Sequence, residues 1–389
     1  MFHHRLIAIA LLAAIGMGAA SASLVQRQPG DRPVAGSTEA ELWYGMDQAE
    51  KQIRQSPSLV RDPALQAYVE GIVCKVAGPY CGELRVYVVD VPVFNASMAP
   101  NGATIVFTGA LLRMRDESEL AVVLGHEFAH YKARHSLEGW NSAKRTTAFL
   151  GTFGMVTWAV GVPIAGDLAL IGGMSSLFKQ SRDNEREADR LGFAAATAQG
   201  YDPQAGVRVW ERLRREEKAD RTHRDYAVFA SHPQSEERIV DIRAAAASIP
   251  AGSATTNADA YRAAMRPFQE KWLASELSRR TYDTTIQVFT ELQQDAQPDR
   301  KALYTFYLGE AHRRRNRNDD KAKAATLYAQ ALSGPLPPPA AWREQGMLLR
   351  EQGDKAGALA SLRRYLEAAP GAEDAALIKH YATKLESTP

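Results

Sequence analysis

The sequence predicts a mostly helical α+β domain with a small sheet, followed by an all-α domain of repeated helix pairs. Three observations lead there. Apolar residues recur at the helical period from Thr38, give way to β-branched and aromatic runs between Leu84 and Thr108, and return to the helical period after Asp116. Around Ala244 to Thr256 the chain turns small and unpatterned, which reads as a boundary. Beyond it, small and apolar residues repeat with a period of about 34, the length of one helix-turn-helix unit. A chain of 389 residues is also long for one average domain. The expected organisation is a signal at residues 1–22, a linker at 23–37, a first domain at 38–245 and a second at 257–389.

Arg5, the apolar stretch Leu6 to Ala20 and the small residues Ser21-Ala22-Ser23 read as a secretory signal cleaved after Ala22. Gln28 to Gly36, with Pro29 and Pro33, reads as a tether. Leu42, Met46 and Ile53 mark a first helix, and Leu65, Tyr68, Val69 and Ile72 a second. The only cysteines, Cys74 and Cys81, stand close together in a chain expected to reach an oxidising compartment, so a disulfide between them is expected. Leu84 to Val91 and Ala103 to Thr108 read as strands, joined by an irregular segment containing Pro100-Asn101-Gly102. Asp116 followed by Glu119 has the form of a capping box, and Leu120, Val123, Leu124 and Phe128 give the helix after it an apolar face. Residues 146–166 carry no charge but are interrupted by Gly151, Gly154, Gly161, Pro163 and Gly166. With Leu168 to Phe178 they predict a helical hairpin over 146–178 that is buried beside the site or touches a bilayer.

The clearest repeat runs from Pro339 to Ala372, with Trp342, Gly346 and Leu349 on one helix and Ala358, Leu362 and Tyr365 on the next. That spacing is the tetratricopeptide pattern. An earlier unit holds Leu308-Gly309, Tyr328 and Ala331, and a degenerate one lies between Trp272 and Pro298. Such arrays build curved binding surfaces and do no chemistry themselves. The net charge of +2, without a long run of one sign, gives no reason to expect a nucleic-acid partner. Arg313, Arg314, Arg315 and Arg317, followed by Asp319 and Asp320, read as a solvated loop.

Chemistry points to His126-Glu127-Phe128-Ala129-His130. Two histidines four apart on a helix share one face, so both imidazoles can reach one metal, and the adjacent glutamate is placed to take a proton from water. The extended metzincin pattern is excluded, because Ala133 and Ser136 stand where its glycine and third histidine would be. A carboxylate from a later helix is the alternative third ligand. Glu185 and Asp189 are four apart in Ser181 to Gly192, so one can bind the metal while the other orients a ligand histidine; Glu187 points to a different face. His135, His223, His312 and His380 lack partners at ligand spacing.

His126-Glu127-x-x-His130 with Asn184-Glu185-x-x-Ala188-Asp189 resembles the gluzincin family of CAAX prenyl endopeptidases and the heat-shock membrane protease. With a secretory signal and C-terminal tetratricopeptide repeats, the chain is similar to its periplasmic branch, the β-barrel assembly-enhancing proteases. Phe94 to Gly102, Ser231-His232-Pro233 and Arg238 agree with that resemblance. It implies a zincin-type α+β fold and one Zn²⁺ per chain, bound by His126, His130 and Glu185, with Asp189 behind them and Glu127 as base. It also implies His232 and Arg238 as candidates for stabilising the oxyanion, and backbone near Asn95 to Met98 as the place where a substrate strand adds. His232 can alternatively fill the metal's fourth position as a latch.

The expected function is a periplasmic endopeptidase for unfolded or misassembled outer-membrane proteins. Its repeats would dock the outer-membrane assembly machinery, and residues 146–178 would give a peripheral membrane contact. The alternative is a chaperone-like assembly factor or scaffold with proteolysis held latent.

Overall fold

The computed structural model describes residues 25–144, 181–220, 232, 236–249 and 254–387. The expected signal and the hairpin expected over 146–178 lie outside these residues.

Helix α1 (Thr38–Gln55) starts where the Ser37 hydroxyl accepts from the Ala40 amide. Helix α2 (Pro63–Ala77) starts where the Asp62 carboxylate accepts from Leu65, with Pro63 in the first turn, where its missing N–H costs nothing. Cys74 near the end of α2 is bridged to Cys81 in the 3₁₀ turn that follows. Three strands come next: β1 (Arg85–Val89), β2 (Ala96–Met98) and β3 (Ala103–Phe107). Their order is β1-β3-β2, with β1 parallel to β3 in register Arg85 to Ala103, and β2 antiparallel to it with Ser97 opposite Ile105.

Strand alternation decides what each face of this sheet covers. Ala103, Ile105 and Phe107 join Leu42, Met46 and Ile53 of α1, whereas Val106 faces the larger core with Val69, Val73 and Leu124. The outer side of β1 is met by Val60, whose amide donates to Val88. Among the described residues no strand pairs with the outer edge of β2. Glu50 of α1 ties down the far end of the sheet, accepting from Arg85 Nε (2.7 Å), Tyr87 Oη (2.6 Å) and Asn101 Nδ2 (2.9 Å).

After α3 (Thr108–Arg113), the chain enters α4 (Glu117–Lys132), buried on nearly every side. Half of the expected capping box forms: Asp116 accepts from the Glu119 amide, but the Glu119 carboxylate turns to the Arg115 amide and to Arg208 and Arg212. Remaining amides at this helix start are met from far away, Glu117 N–H donating to the Thr256 carbonyl at 3.0 Å. Then come α5 (His135–Lys144), α6 (Arg182–Ala198), α7 (Ala205–Ala219) and α8 (Glu236–Ala247).

One contact sets the distance between α4 and α6. A Cβ built on Gly192 would meet His126 N at 2.5 Å and Gly125 C at 2.6 Å, so the two backbones touch where glycine faces glycine. Asp189 and Glu185 lie one and two turns back along α6, opposite His126 and His130.

From residue 254 onward the described chain is helical: α9 (Ala258–Met265), α10 (Gln269–Ser278), α11 (Tyr282–Gln294), α12 (Pro298–Arg315), α13 (Asp320–Ser333), α14 (Pro339–Glu351), α15 (Lys355–Ala368) and α16 (Ala375–Ser387). Pairs close through small residues, as Gly309 lies under the ring of Tyr328 and Gly346 under Leu362. Of the arginines read as a solvated loop, Arg313, Arg314 and Arg315 instead end α12, while Arg317 stands in the exposed loop after it; Arg313 and Arg314 pair with Glu310, and Arg315 and Arg317 with Asp283. These acids lie on neighbouring turns and helices, which a scan for charge runs does not register.

Packing continues across residue 254. One hydrophobic core runs from Leu65 to Leu348, and Tyr261 Oη donates to the Leu111 carbonyl inside it. Arg113 is 1% exposed and lies between two fully buried carboxylates, Glu216 at 2.7 Å and Glu276 at 3.0 Å. Among the described residues no helix is long and apolar enough to cross a membrane.

Candidate metal centre

His126 and His130 project from the last turns of α4 with their Nε2 atoms 3.0 Å apart. Glu185 of α6 brings Oε2 to 3.5 Å from His126 Nε2 and Oε1 to 3.4 Å from His130 Nε2. His232 comes from just ahead of α8 in the sequence, its Nδ1 2.9 Å from Glu185 Oε1 and 3.3 Å from His126 Nε2. All four side chains are buried, and their ligand atoms lie within 4.8 Å of one another.

That arrangement fits a metal ion. Four ligand atoms bound tetrahedrally at about 2.0–2.1 Å stand about 3.3 Å apart, close to the spacings of the cluster. Two neutral imidazole nitrogens cannot both accept across 3.0 Å without a cation or proton between them. Glu185 Oε2 makes no aligned hydrogen bond among the described residues, although Arg238 Nη1 is 2.7 Å away. A buried carboxylate oxygen is costly unless a cation meets it, and here the Arg238 guanidinium does so.

The electrostatics keep the ligands in binding form. Burial holds His130 neutral, well below the ordinary histidine range. Burial alone would raise Glu185, but hydrogen bonds from His130 and His232 and the nearby charge of His232 and His126 hold it well below the usual carboxylate range. Glu127 is pushed upward by burial, with His232 and His126 opposing. A carboxyl raised in this way takes up a proton more readily than a solvated glutamate. Its Oε1 lies 3.7 Å from His232 Nε2, and both line an apolar cavity with Phe94, Ala96, Val123 and Trp210.

Behind the ligands stands a second set of groups. Asp189 Oδ1 is 3.0 Å from His126 Nδ1, close but poorly aligned for a hydrogen bond. Arg238 is one of two candidate oxyanion donors that the resemblance implies; the structure sets it behind the carboxylates. Its Nε and Nη2 reach Asp189 at 2.6 and 2.9 Å, its Nη1 reaches Glu185, and its guanidinium lies over Trp210. The reason is local: Arg238 sits in the first turn of α8, against α6, so its reach is spent on that helix.

Sequence reading passes over His135. In the structure its Nδ1 is 2.8 Å from His130 Nδ1, and its Nε2 is 3.4 Å from Glu187 Oε2. The available signal is the helix break before it. Glu187 stands off the ligand face, as its helical position predicts.

The comparisons agree with this geometry. Residues 60–246 match the model of peptidase family M48. The chain is 30% identical over 222 residues to the beta-barrel assembly-enhancing protease of Escherichia coli K12, covering 54% of this chain and 45% of that one. It is 29% identical over 244 residues to a putative beta-barrel assembly-enhancing protease of Vibrio cholerae, covering 59% and 50%. It is 35% identical over 132 residues to the mitochondrial metalloendopeptidase OMA1 of Arabidopsis thaliana, covering 33% and 25%. The chain thus spans about half the length of the assembly-enhancing relatives it matches. Over residues 60–246, a little under half of its length, the chain is similar to peptidase family M48.

Proposed function

We propose that the protein is a zinc-dependent endopeptidase of the periplasm that acts on unfolded or misassembled β-barrel proteins of the outer membrane. The observation that carries the reading is the convergence of His126, His130 and Glu185 beside Glu127 at an apolar cavity. A set of two imidazoles and a carboxylate suits zinc, which would supply Lewis acidity toward a water and a scissile carbonyl. Glu127 Oε1 takes the water's proton and delivers it to the leaving amine nitrogen. A substrate in extended form adds to the outer edge of β2, whose residue Ala96 also lines the cavity. The Cys74–Cys81 disulfide supports an oxidising compartment, and the names of the bacterial relatives support the substrate class. The helix pairs from α10 onward act as tetratricopeptide-type repeats that dock the assembly machinery, and residues 146–178 supply a membrane contact.

Metal analysis of the purified mature chain should give about one zinc, and cleavage of an unfolded barrel protein should stop in Glu127→Gln with zinc retained. Zinc-independent cleavage, or Glu127→Gln as active as wild type, would refute the assignment.

A second reading, assembly support with proteolysis held latent, is favoured by His232, whose Nδ1 lies among the ligand atoms. In that arrangement it closes the position a water needs. As a latch, His232→Ala should raise cleavage; as an oxyanion donor, the same change should lower it by about a hundredfold or more.

A further inference from the structure

We propose that His135 is a positioning residue for His130: it occupies the Nδ1 side of that ring and so keeps the Nε2 lone pair turned into the ligand cluster. The inference rests on the metal-site reading above and adds to it the group that sets the orientation of one ligand.

His130 has two nitrogens with different tasks. Nε2 faces Glu185 and His126, so Nδ1 must carry the proton if Nε2 is to bind a cation. A buried N–H needs an acceptor, and the atom 2.8 Å away is His135 Nδ1. His135 then carries its own proton on Nε2, which faces the Glu187 carboxylate at 3.4 Å. Every ring atom in this chain is thereby given one role. His126, by contrast, has the carboxylate of Asp189 directly behind it. The two ligand histidines are held by different devices, one by a carboxylate and one by a neutral imidazole with a carboxylate beyond it.

Backbone geometry shows that the placement is built rather than incidental. After α4 ends, Arg134 takes a φ of 59°, a left-handed conformation that residues with a side chain rarely adopt. This turn reverses the chain and lays His135, the first residue of α5, back against His130, the two rings meeting edge to face with centroids 4.9 Å apart. Arg134 is fixed there by Glu39 at 3.1 Å and Asp31 at 3.0 Å. His135 is 3% exposed, whereas the Glu187 side chain reaches partly into solvent. The relay therefore runs from the ligand cluster to the surface along a path separate from the cavity that Glu127 faces.

The test measures zinc affinity of the full chain by competition with a chromophoric chelator, alongside thermal stability of the zinc-free form. His135→Ala should weaken zinc binding by about ten- to a hundredfold. His135→Asn, whose side-chain oxygen can stand where Nδ1 stood, should recover most of that loss. Glu187→Ala should cost less than His135→Ala, since it removes only the outer bond. Imidazole ¹⁵N shifts of the zinc-free wild type should show His130 protonated at Nδ1. An unchanged affinity in His135→Ala overturns the proposal. So does a loss that His135→Asn fails to recover at wild-type stability, or a His130 ring protonated at Nε2. If His135→Ala does not fold, His135→Asn and the ¹⁵N shifts decide. A wild type that takes up no zinc overturns the metal site as well, whereas loss in Glu185→Gln with none in His135→Ala overturns only the role of His135.

Discussion

Replacing Gly192 by alanine places a methyl group where there is no room for one. Its Cβ would lie 2.5 Å from His126 N, 2.6 Å from Gly125 C and 2.7 Å from Gly125 O, all backbone atoms that cannot swing aside. Ordinary carbon contacts need about 3.5 Å, so α4 and α6 must part by roughly 1 Å. Overpacking of this kind costs about 1–3 kcal/mol, and the better helix propensity of alanine returns up to about 1 kcal/mol. A net loss of about 1–2 kcal/mol is expected in denaturant unfolding of the zinc-free protein. The metal site should suffer more than the fold. Ligand distances are held to about ±0.2 Å, and a shift several times larger takes Glu185 away from His126 and His130. Zinc affinity should fall at least tenfold in a chelator competition. Gly71→Ala in α2, where an added Cβ meets nothing within 4 Å, is the control and should raise stability by up to about 1 kcal/mol. Wild-type stability together with wild-type zinc affinity in Gly192→Ala would refute the idea that this contact sets the reach of Glu185.

Glu185→Gln should lose zinc, whereas Glu187→Gln, which keeps an oxygen toward His135, should retain it; metal analysis after dialysis reads both. Arg113→Ala leaves Glu216 and Glu276 buried without their shared cation and should destabilise by about 3–5 kcal/mol in urea unfolding. For Glu50, burial alone would raise the pKa, but hydrogen bonds from Arg85, Tyr87 and Arg54 outweigh it and bring the value from 4.5 to about 2. A depressed carboxylate stabilises above its unfolded pKa and loses that contribution as pH falls through the folded one. Stability should therefore drop between about pH 4.5 and 2 by something of the order of 3 kcal/mol. Glu50→Gln should be less stable at neutral pH and should flatten that limb of the profile.

The parts of the molecule legible in the sequence are those whose signal is local. His126 and His130 announce a shared face because four residues make about one helical turn, and the runs at Leu84 and Ala103 have strand composition. What escaped is set by contacts between distant segments. Strand β2, only three residues long, is a strand because Ser97 pairs with Ile105. Glu119 has the sequence form of a cap, yet Arg208 and Arg212 from α7 compete for its carboxylate. Nothing near Arg238 says that Asp189 and Glu185 will take up its guanidinium. His135 was hidden by a single backbone angle at Arg134, which no residue preference for arginine predicts.

The ligands of the metal cluster are unevenly spread along the chain, and this has a consequence for timing. Two imidazoles stand ready as soon as α4 exists, but the carboxylate arrives only when α6 has docked through Gly125 and Gly192, and His232 comes later still. No partly made or unfolded copy can assemble the ligand cluster. Under the proposed activity, the capacity to hydrolyse would appear together with the resistance to being hydrolysed.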